Sequence, residues 1–271
     1  MHATPLFASA LLEVREVTCD APRGGSRGAE ETTVPCVALP LRGCFGVERA
    51  GREVIADANT ALFFDAGGPY RVAHPVEGGD VSFVLTYDAG IVADAFGRGR
   101  RRNAEREPFG ATHAHLAPTA QLDARLLRRR LSAGDASGAL AVEEQAFALI
   151  AQLAGTRAPQ LDAARGRSIE RAKAYLGERF AETVLLADVA RAARSSPFGL
   201  TRTFRVATGT TLHRYLVDLR VAAALDALAA GAADLARVAV DSGFAHHSHL
   251  TKVVRARLGR TPRAIRGALS S

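Results

Sequence analysis

Residues 186–216, LADVARAARSSPFGLTRTFRVATGTTLHRYL, and residues 235–265, LARVAVDSGFAHHSHLTKVVRARLGRTPRAI, say nearly the same thing twice. At an offset of 49, Leu186, Ala187, Val189 and Ala190 fall on Leu235, Ala236, Val238 and Ala239. At an offset of 50, Leu200, Thr201 and Arg202 fall on Leu250, Thr251 and Lys252, and Gly209 and Thr211 on Gly259 and Thr261. One extra residue between two matching halves marks a turn between two helices. The stretch reads as a duplicated helix-turn-helix.

The residue types fit that reading. Two helices crossing steeply need a small residue where their backbones approach, which suits Ala190 and Ala239. Four positions on, the chain reverses through a positive φ that Gly243 adopts at no steric cost; the first copy has Arg194 there, so a strained turn is expected. Ser196-Pro197 reads as an N-cap followed by proline at the first helical position, and Gly209 and Gly259 close the second helices. Leu200 and Phe204, like Leu250 and Val254, sit at i and i+4 and face inward. The opposite face carries Phe198, Thr201, Arg202 and Arg205 in one copy, and His247, Ser248, Thr251, Lys252 and Arg255 in the other. Such wettable, partly basic faces suit a recognition helix in a major groove.

The C-terminal hundred residues resemble the AraC/XylS transcription regulators. The resemblance rests on Ser242-Gly243-Phe244, Leu250-Thr251-Lys252, Gly259-Arg260-Thr261-Pro262 and Arg266. Ile169, Ala172, Tyr175-Leu176 and the Arg220–Leu228 segment fit the family's first and linking helices. Departures are Arg194 for the usual turn glycine, Leu212 where proline is common, and His249-Leu250 where an aromatic pair is typical. The resemblance implies a sequence-specific regulator of the activator type that binds a double-stranded DNA operator, works with RNA polymerase and forms a homodimer. It places DNA contacts on Ser196, Phe198, Thr201, Arg202 and Arg205, and on His247, Ser248, Thr251, Lys252 and Arg255.

A length of 271 residues suggests two domains, and charge divides them. Residues 165–271 hold 18 Lys+Arg against 8 Asp+Glu, net +10, while residues 1–164 are net −3. A basic C-terminal half beside a mildly acidic N-terminal one points to a polyanion partner for one half only. Lys173 and Lys252 are the only lysines, so the arginine excess reflects coding bias as much as function. Cys19, Cys36 and Cys44 have no metal spacing and read as buried thiols in a reducing compartment, with a redox sensor as the other reading. The opening MHATPLFASALLEV lacks a basic lead-in, and no stretch has the length of a membrane span, so a cytoplasmic protein is expected.

The N-terminal half alternates short β-forming runs with turns: a first strand within 6–17, then 34–48 broken by Pro40 and Gly43, an Ala50-Gly51-Arg52 hairpin turn, 54–64, 70–74 and 81–87. This spacing argues for a small antiparallel barrel or sandwich. The string AGGPYRVAHPVEGGD at 66–80 resembles the cupin-like jelly-roll sensor domain of many AraC-type regulators. Helical patterns follow at 122–131 and 139–153, with Leu122, Leu126, Leu127, Leu140, Phe147, Ile150 and Leu153 as the apolar face, packed on the barrel or on a partner subunit. The α+β architecture is thus a cupin-like antiparallel β-barrel over 1–120, a helical dimerisation region over 121–155, a linker over 156–166 and an all-α double helix-turn-helix domain over 167–271.

Enzymatic cupins hold a metal through a His-x-His pair, a glutamate and a later histidine. Around the barrel only His74 offers itself, so no metal, cofactor or catalytic residue is assigned, and a cupin-type enzyme fused to a DNA-binding module is the alternative class. His113 and His115 lie beyond the expected strands and read as an exposed or hydrogen-bonded pair. His74 is either a turn residue bonded to Asp80 or, with Tyr70, part of a pocket for a small-molecule effector. His246, His247 and His249 open the second recognition helix and are read as DNA-contacting or packing residues rather than zinc ligands. Arg100-Arg101-Arg102 reads as a solvated face.

Overall fold

The computed structural model describes residues 1–24, 28–96, 108–134, 138–154 and 162–270; the Arg100–Arg102 run and residues 156–161 of the linker lie outside them. Nine strands come first: β1 (His2–Ala8), β2 (Leu12–Cys19), β3 (Cys36–Gly43), β4 (Phe45–Arg49), β5 (Arg52–Ala56), β6 (Thr60–Phe64), β7 (Arg71–Ala73), β8 (Asp80–Tyr87) and, after helix α1 (Ala89–Phe96), β9 (His113–His115). They form two antiparallel sheets, six-stranded in the order β1-β2-β8-β3-β6-β9 and three-stranded in the order β5-β4-β7.

Three local details depart from the sequence reading. The single strand expected within 6–17 is two, because the chain turns at Ser9, whose hydroxyl accepts from the Leu11 and Leu12 amides at 3.2 Å each. Pro40 does not end its strand. β3 pairs with β6 only over Cys36–Ala38, so Pro40, which has no N–H to donate, lies past that ladder, and the register to β8 slips between Pro40 and Arg42. His113 and His115 are not beyond the strands but on one, β9, paired to β6 through Leu62↔His113 and Thr60↔His115. A three-residue strand carries too little pattern to be seen without its partner. The Ala50-Gly51 hairpin turn is present, with positive φ of 50° and 72°.

The space between the sheets is filled by Cys36, Ala38, Leu62 and Phe64 from one and Phe45, Val47, Val54 and Ala56 from the other. The outer face of the large sheet, with Val14, Val37, Phe63, Phe83 and Leu85, is covered by α1, α2 (Pro118–Ser132) and α3 (Ala139–Ala154). α2 begins four residues before the expected 122, because Pro118 sits in its first turn, where the missing N–H costs nothing. The helices expected to meet a partner subunit thus spend Leu127, Val142, Ala146, Leu149, Ile150 and Leu153 within their own chain. Leu140, expected on the inner face, is 68% exposed.

The C-terminal domain is helical: α4 (Ala163–Arg179), α5 (Leu186–Ala192), α6 (Pro197–Thr208), α7 (Leu212–Ala229), α8 (Leu235–Asp241), α9 (His247–Leu258) and α10 (Pro262–Ser270). It has two cores. α4, α5 and α6 bury Ile169, Leu176, Val189, Leu200 and Phe204, and α8, α9 and α10 bury Val238, Leu250, Val254 and Ile265, joined by Phe244 of the turn between α8 and α9. α7 serves both, giving Tyr215, Leu216 and Leu219 to the first and Val221, Leu225 and Leu228 to the second. Among the described residues no helix is long and apolar enough to cross a membrane.

The two domains are joined by polar groups that the sequence reading did not single out. The β5–β6 turn, Asp57-Ala58-Asn59, plugs into the helical domain, with Ala58 in the first core. Asp57 accepts from the Tyr215 hydroxyl at 2.8 and 2.6 Å, and Asn59 donates to the Tyr215 carbonyl at 2.9 Å. β5 is the edge of its sheet, and α4 covers it: Ile55 N–H donates to Glu170 at 2.5 Å while Lys173 donates to the Ile55 carbonyl. Arg125 of α2 reaches the Leu41 carbonyl at 2.6 Å and the Ala222 carbonyl of α7 at 3.2 Å; burial lowers its pKa to about 10, which leaves it charged at neutral pH.

Candidate nucleic-acid interface

The duplication in the sequence is a duplication in space. α5 and α8 begin 49 residues apart, α6 and α9 begin 50 apart, and the extra residue sits in the second turn. Both first helices end the same way. Ser195 N–H donates back to the Ala190 carbonyl at 3.0 Å and Phe244 N–H to the Ala239 carbonyl at 2.8 Å, a bond from the sixth residue to the first that uses an otherwise orphaned carbonyl. The residue before each donor is left-handed: Gly243 at φ 80° and Arg194 at φ 52°. The strain expected at Arg194 is therefore present. Arg194→Gly should relieve about 1–2 kcal/mol of left-handed strain against about 0.5–1 kcal/mol of added chain entropy, a small net gain. The check is thermal unfolding, where the melting temperature should rise by roughly 1–4 °C; a fall would show that the arginine side chain earns its place.

The first recognition-helix candidate is capped by Ser196 as the sequence suggests, and the second by His246, which the sequence reading gives to DNA contact or packing. The Ser196 hydroxyl accepts from Gly199 N–H at 3.1 Å, and the His246 ring accepts from His249 N–H at 3.2 Å. Gly209 and Gly259 close the two helices at φ 71° and 68°. Thr211 and Thr261 then cap the helices that follow, so Leu212 at the common proline position still starts α7. Leu200, Phe204, Leu250 and Val254 are buried.

On the outer face Phe198 is 80% exposed, with Ser196, Thr201, Arg202 and Arg205 exposed around it. In the second copy His247, Ser248, Lys252 and Arg255 are exposed, while Thr251 is only half-exposed, its hydroxyl 3.4 Å from the His247 ring. Among the described residues Arg202, Arg205, Lys252 and Arg255 enter no ion pair. The neighbouring Arg191 and Arg237 do, with Asp188 and Asp241 on their own helices. Arg257, by contrast, turns inward to buried Asp218 of α7 at 3.2 Å and ties α9 to the shared helix. The charge left unspent thus lies where a polyanion can reach it.

The three histidines at the start of α9 do three different things. His246 caps, His249 packs edge-on against Phe244 at 5.4 Å, and His247 stands outward. Of the two effector-pocket candidates, His74 is buried against Asp80 at 3.1 Å. Tyr70 lies against Phe64, 4.7 Å between ring centroids, and bridges to Glu30; burial and that carboxylate push its pKa up to about 12. The two residues face different neighbours; Tyr70 borders a shallow surface pocket with Glu48 and Arg71 that does not include His74. His113 and His115 are half-buried beside the domain junction, and burial drives the His113 pKa down to about 3, so that ring is neutral. The thiols of Cys36 and Cys44 are shifted up by burial, Cys36 to about 11, which keeps both protonated.

A family-model match falls on the C-terminal domain. Residues 189–268 match the family model of a helix-turn-helix domain. No curated protein matches the chain. Among solved structures, an apo ToxT variant from Vibrio cholerae is 13% identical, covering 96% of this chain and 98% of its own, with a TM-score of 0.39. An AraC-type transcriptional regulator from Chromobacterium violaceum is 22% identical over 38% of this chain and 93% of its own, with a TM-score of 0.37. A cupin domain from Bordetella pertussis is 18% identical over 32% and 92%, with a TM-score of 0.27.

Proposed function

We propose, on the premise that residues 189–268 form a helix-turn-helix domain and resemble the AraC type in sequence, that this chain is a transcription regulator in which α6 and α9 enter two successive major grooves of one DNA duplex. The observation that carries the reading is the pair of capped helices on either side of α7, each with an exposed basic face that no acidic group among the described residues neutralises. Helix α7, 18 residues and about 27 Å long, holds them as a rigid spacer. One duplex turn, roughly 34 Å, separates successive grooves on one face. One chain would then read two different half-sites in direct order.

Within this reading Arg202 bonds two acceptors of a guanine, whereas Lys252 is a point charge that settles on phosphate. Arg202→Ala should relax preference at one or two base pairs by about 1–3 kcal/mol. Lys252→Ala should weaken binding to all sequences alike and flatten the dependence on log salt by about one unit. Selection of binding sites from random duplexes with each variant decides it. Unchanged base preferences in Arg202→Ala would mean that α6 only positions the protein.

Control by a small effector belongs to the same reading. Its support is the domain junction, where a turn of the sheet domain bonds directly to α7 and its edge strand to α4. RNA polymerase contact is carried by family likeness alone. For a homodimer, the outward side of α3 around Leu140 is the surface that the 122–153 helices still offer.

A further inference from the structure

We propose that Cys19, His74 and Asp80 form a binding site for one thiophilic divalent cation, zinc first among them. One donor atom from each, a sulfur, an imidazole nitrogen and a carboxylate oxygen, lies within 4.8 Å of the other two. The residues are 5, 1 and 7% exposed and come from the end of β2, the segment after β7 and the start of β8. They are far apart in sequence and meet because β2 and β8 pair in the register Cys19↔Asp80.

The chemistry selects the ligand. A thiolate with an imidazole suits zinc and its soft neighbours, and the carboxylate brings the site to neutrality: thiolate and carboxylate together offset the two positive charges. Bond lengths of about 2.0–2.3 Å give a tetrahedral zinc donor–donor edges of roughly 3.3–3.6 Å. His74 Nε2 and Asp80 Oδ1 are already 3.1 Å apart. Closing the remaining gap takes side-chain rotation on the order of 1 Å. Uptake replaces the His74–Asp80 hydrogen bond and takes Cys19 as the thiolate.

The surrounding backbone is held in place. A Cβ on Gly79, just before Asp80, would sit 2.1 Å from the Cys19 carbonyl, and one on Gly43 would sit 2.1 Å from the Gly79 carbonyl. The Ser82 hydroxyl donates to the second Asp80 oxygen at 3.4 Å, the kind of outer bond that orients a ligating carboxylate. No substrate reaches a site so enclosed, so the ion would be a staple rather than a catalyst. It would also be felt by the helical domain: two residues past His74, Val76 packs with Cys44 and Ile55 against Ala174 of α4.

The test uses the full chain, stripped with a chelator and titrated with Co²⁺ and then Zn²⁺. The expected result is one equivalent of Co²⁺ bound, with a near-ultraviolet thiolate-to-cobalt charge-transfer band that Zn²⁺ abolishes. Cys19→Ser should lose the band and Asp80→Asn should weaken uptake at least about tenfold, while Cys36→Ser and Cys44→Ser should keep both. A band that survives Cys19→Ser, or no stoichiometric uptake, overturns the proposal. Should Cys19→Ser misfold by circular dichroism, the wild type decides: Zn²⁺ at a hundred times its dissociation constant should raise the melting temperature by roughly 5–10 °C, and an unchanged melt rejects the site.

Discussion

Gly243→Ala is expected to destabilise the protein by about 2–5 kcal/mol, the combined cost of a left-handed alanine and of backbone crowding. Two separate constraints meet at this residue. Its φ of 80° suits only glycine. A Cβ there would also lie 2.8 Å from the Ala181 Cα, 2.8 Å from the Phe180 carbonyl and 2.9 Å from Arg220 Nε. Arg220 cannot simply give way, because it donates to the Phe180 and Glu182 carbonyls at 2.7 and 2.8 Å and so closes the end of α4. The equivalent turn of the first copy tolerates Arg194 because that side chain points to solvent. Urea unfolding of the full chain measures the loss. A loss of only about 1–2 kcal/mol would mean that the crowded neighbours give way and that glycine is there for conformation alone.

Asp57→Ala should cost about 3–5 kcal/mol, because it strands three buried donors at once. The carboxylate accepts from the Tyr215 hydroxyl, from Asn59 N–H at 3.0 Å and from the Thr60 hydroxyl at 3.0 Å. Tyr215→Phe removes one donor and leaves the other two in place, so about 1–2 kcal/mol is expected. The double variant should lose less than the sum of the two, since both act on one network. Chemical denaturation of all three supplies the cycle. Strict additivity would show that Asp57 stabilises its own turn and not the junction between the domains.

The helix-turn-helix pair was legible because everything it needs is local. Turn glycines, N-caps and i, i+4 apolar pairs act within a dozen residues, so spacing alone gives Ser196, Gly209, Gly243 and Gly259 their roles. The sheet domain was legible as a class but not in its pairings. β9 depends on pairing with β6, some fifty residues away, and β1 parts from β2 at a Ser9 turn that no glycine or proline announces. Least legible was the junction. Glu170 and Lys173 stand three apart on α4, a spacing that usually marks a solvated ion pair, and only the edge of β5 beside them reveals that both are buried. Asp57 and Asn59 look like ordinary turn residues for the same reason. The Cys19–His74–Asp80 trio was hidden by register, since a slip of one residue between β2 and β8 would send Cys19 to the other face.

Helix α7 is wedged between two cores, and this separates two quantities that a lineage of such proteins can vary. In the proposed reading, the distance between the two reading heads belongs to residues such as Tyr215 and Leu219, packed in the first core, and Val221 and Leu225, packed in the second. On the same reading, what each head reads belongs to exposed residues such as Phe198, Arg202, His247 and Lys252, where change costs the fold little. New target sites should therefore arise by relettering a frame of fixed pitch, one half at a time, so that descendants differ in which bases they favour long before they differ in how far apart those bases lie.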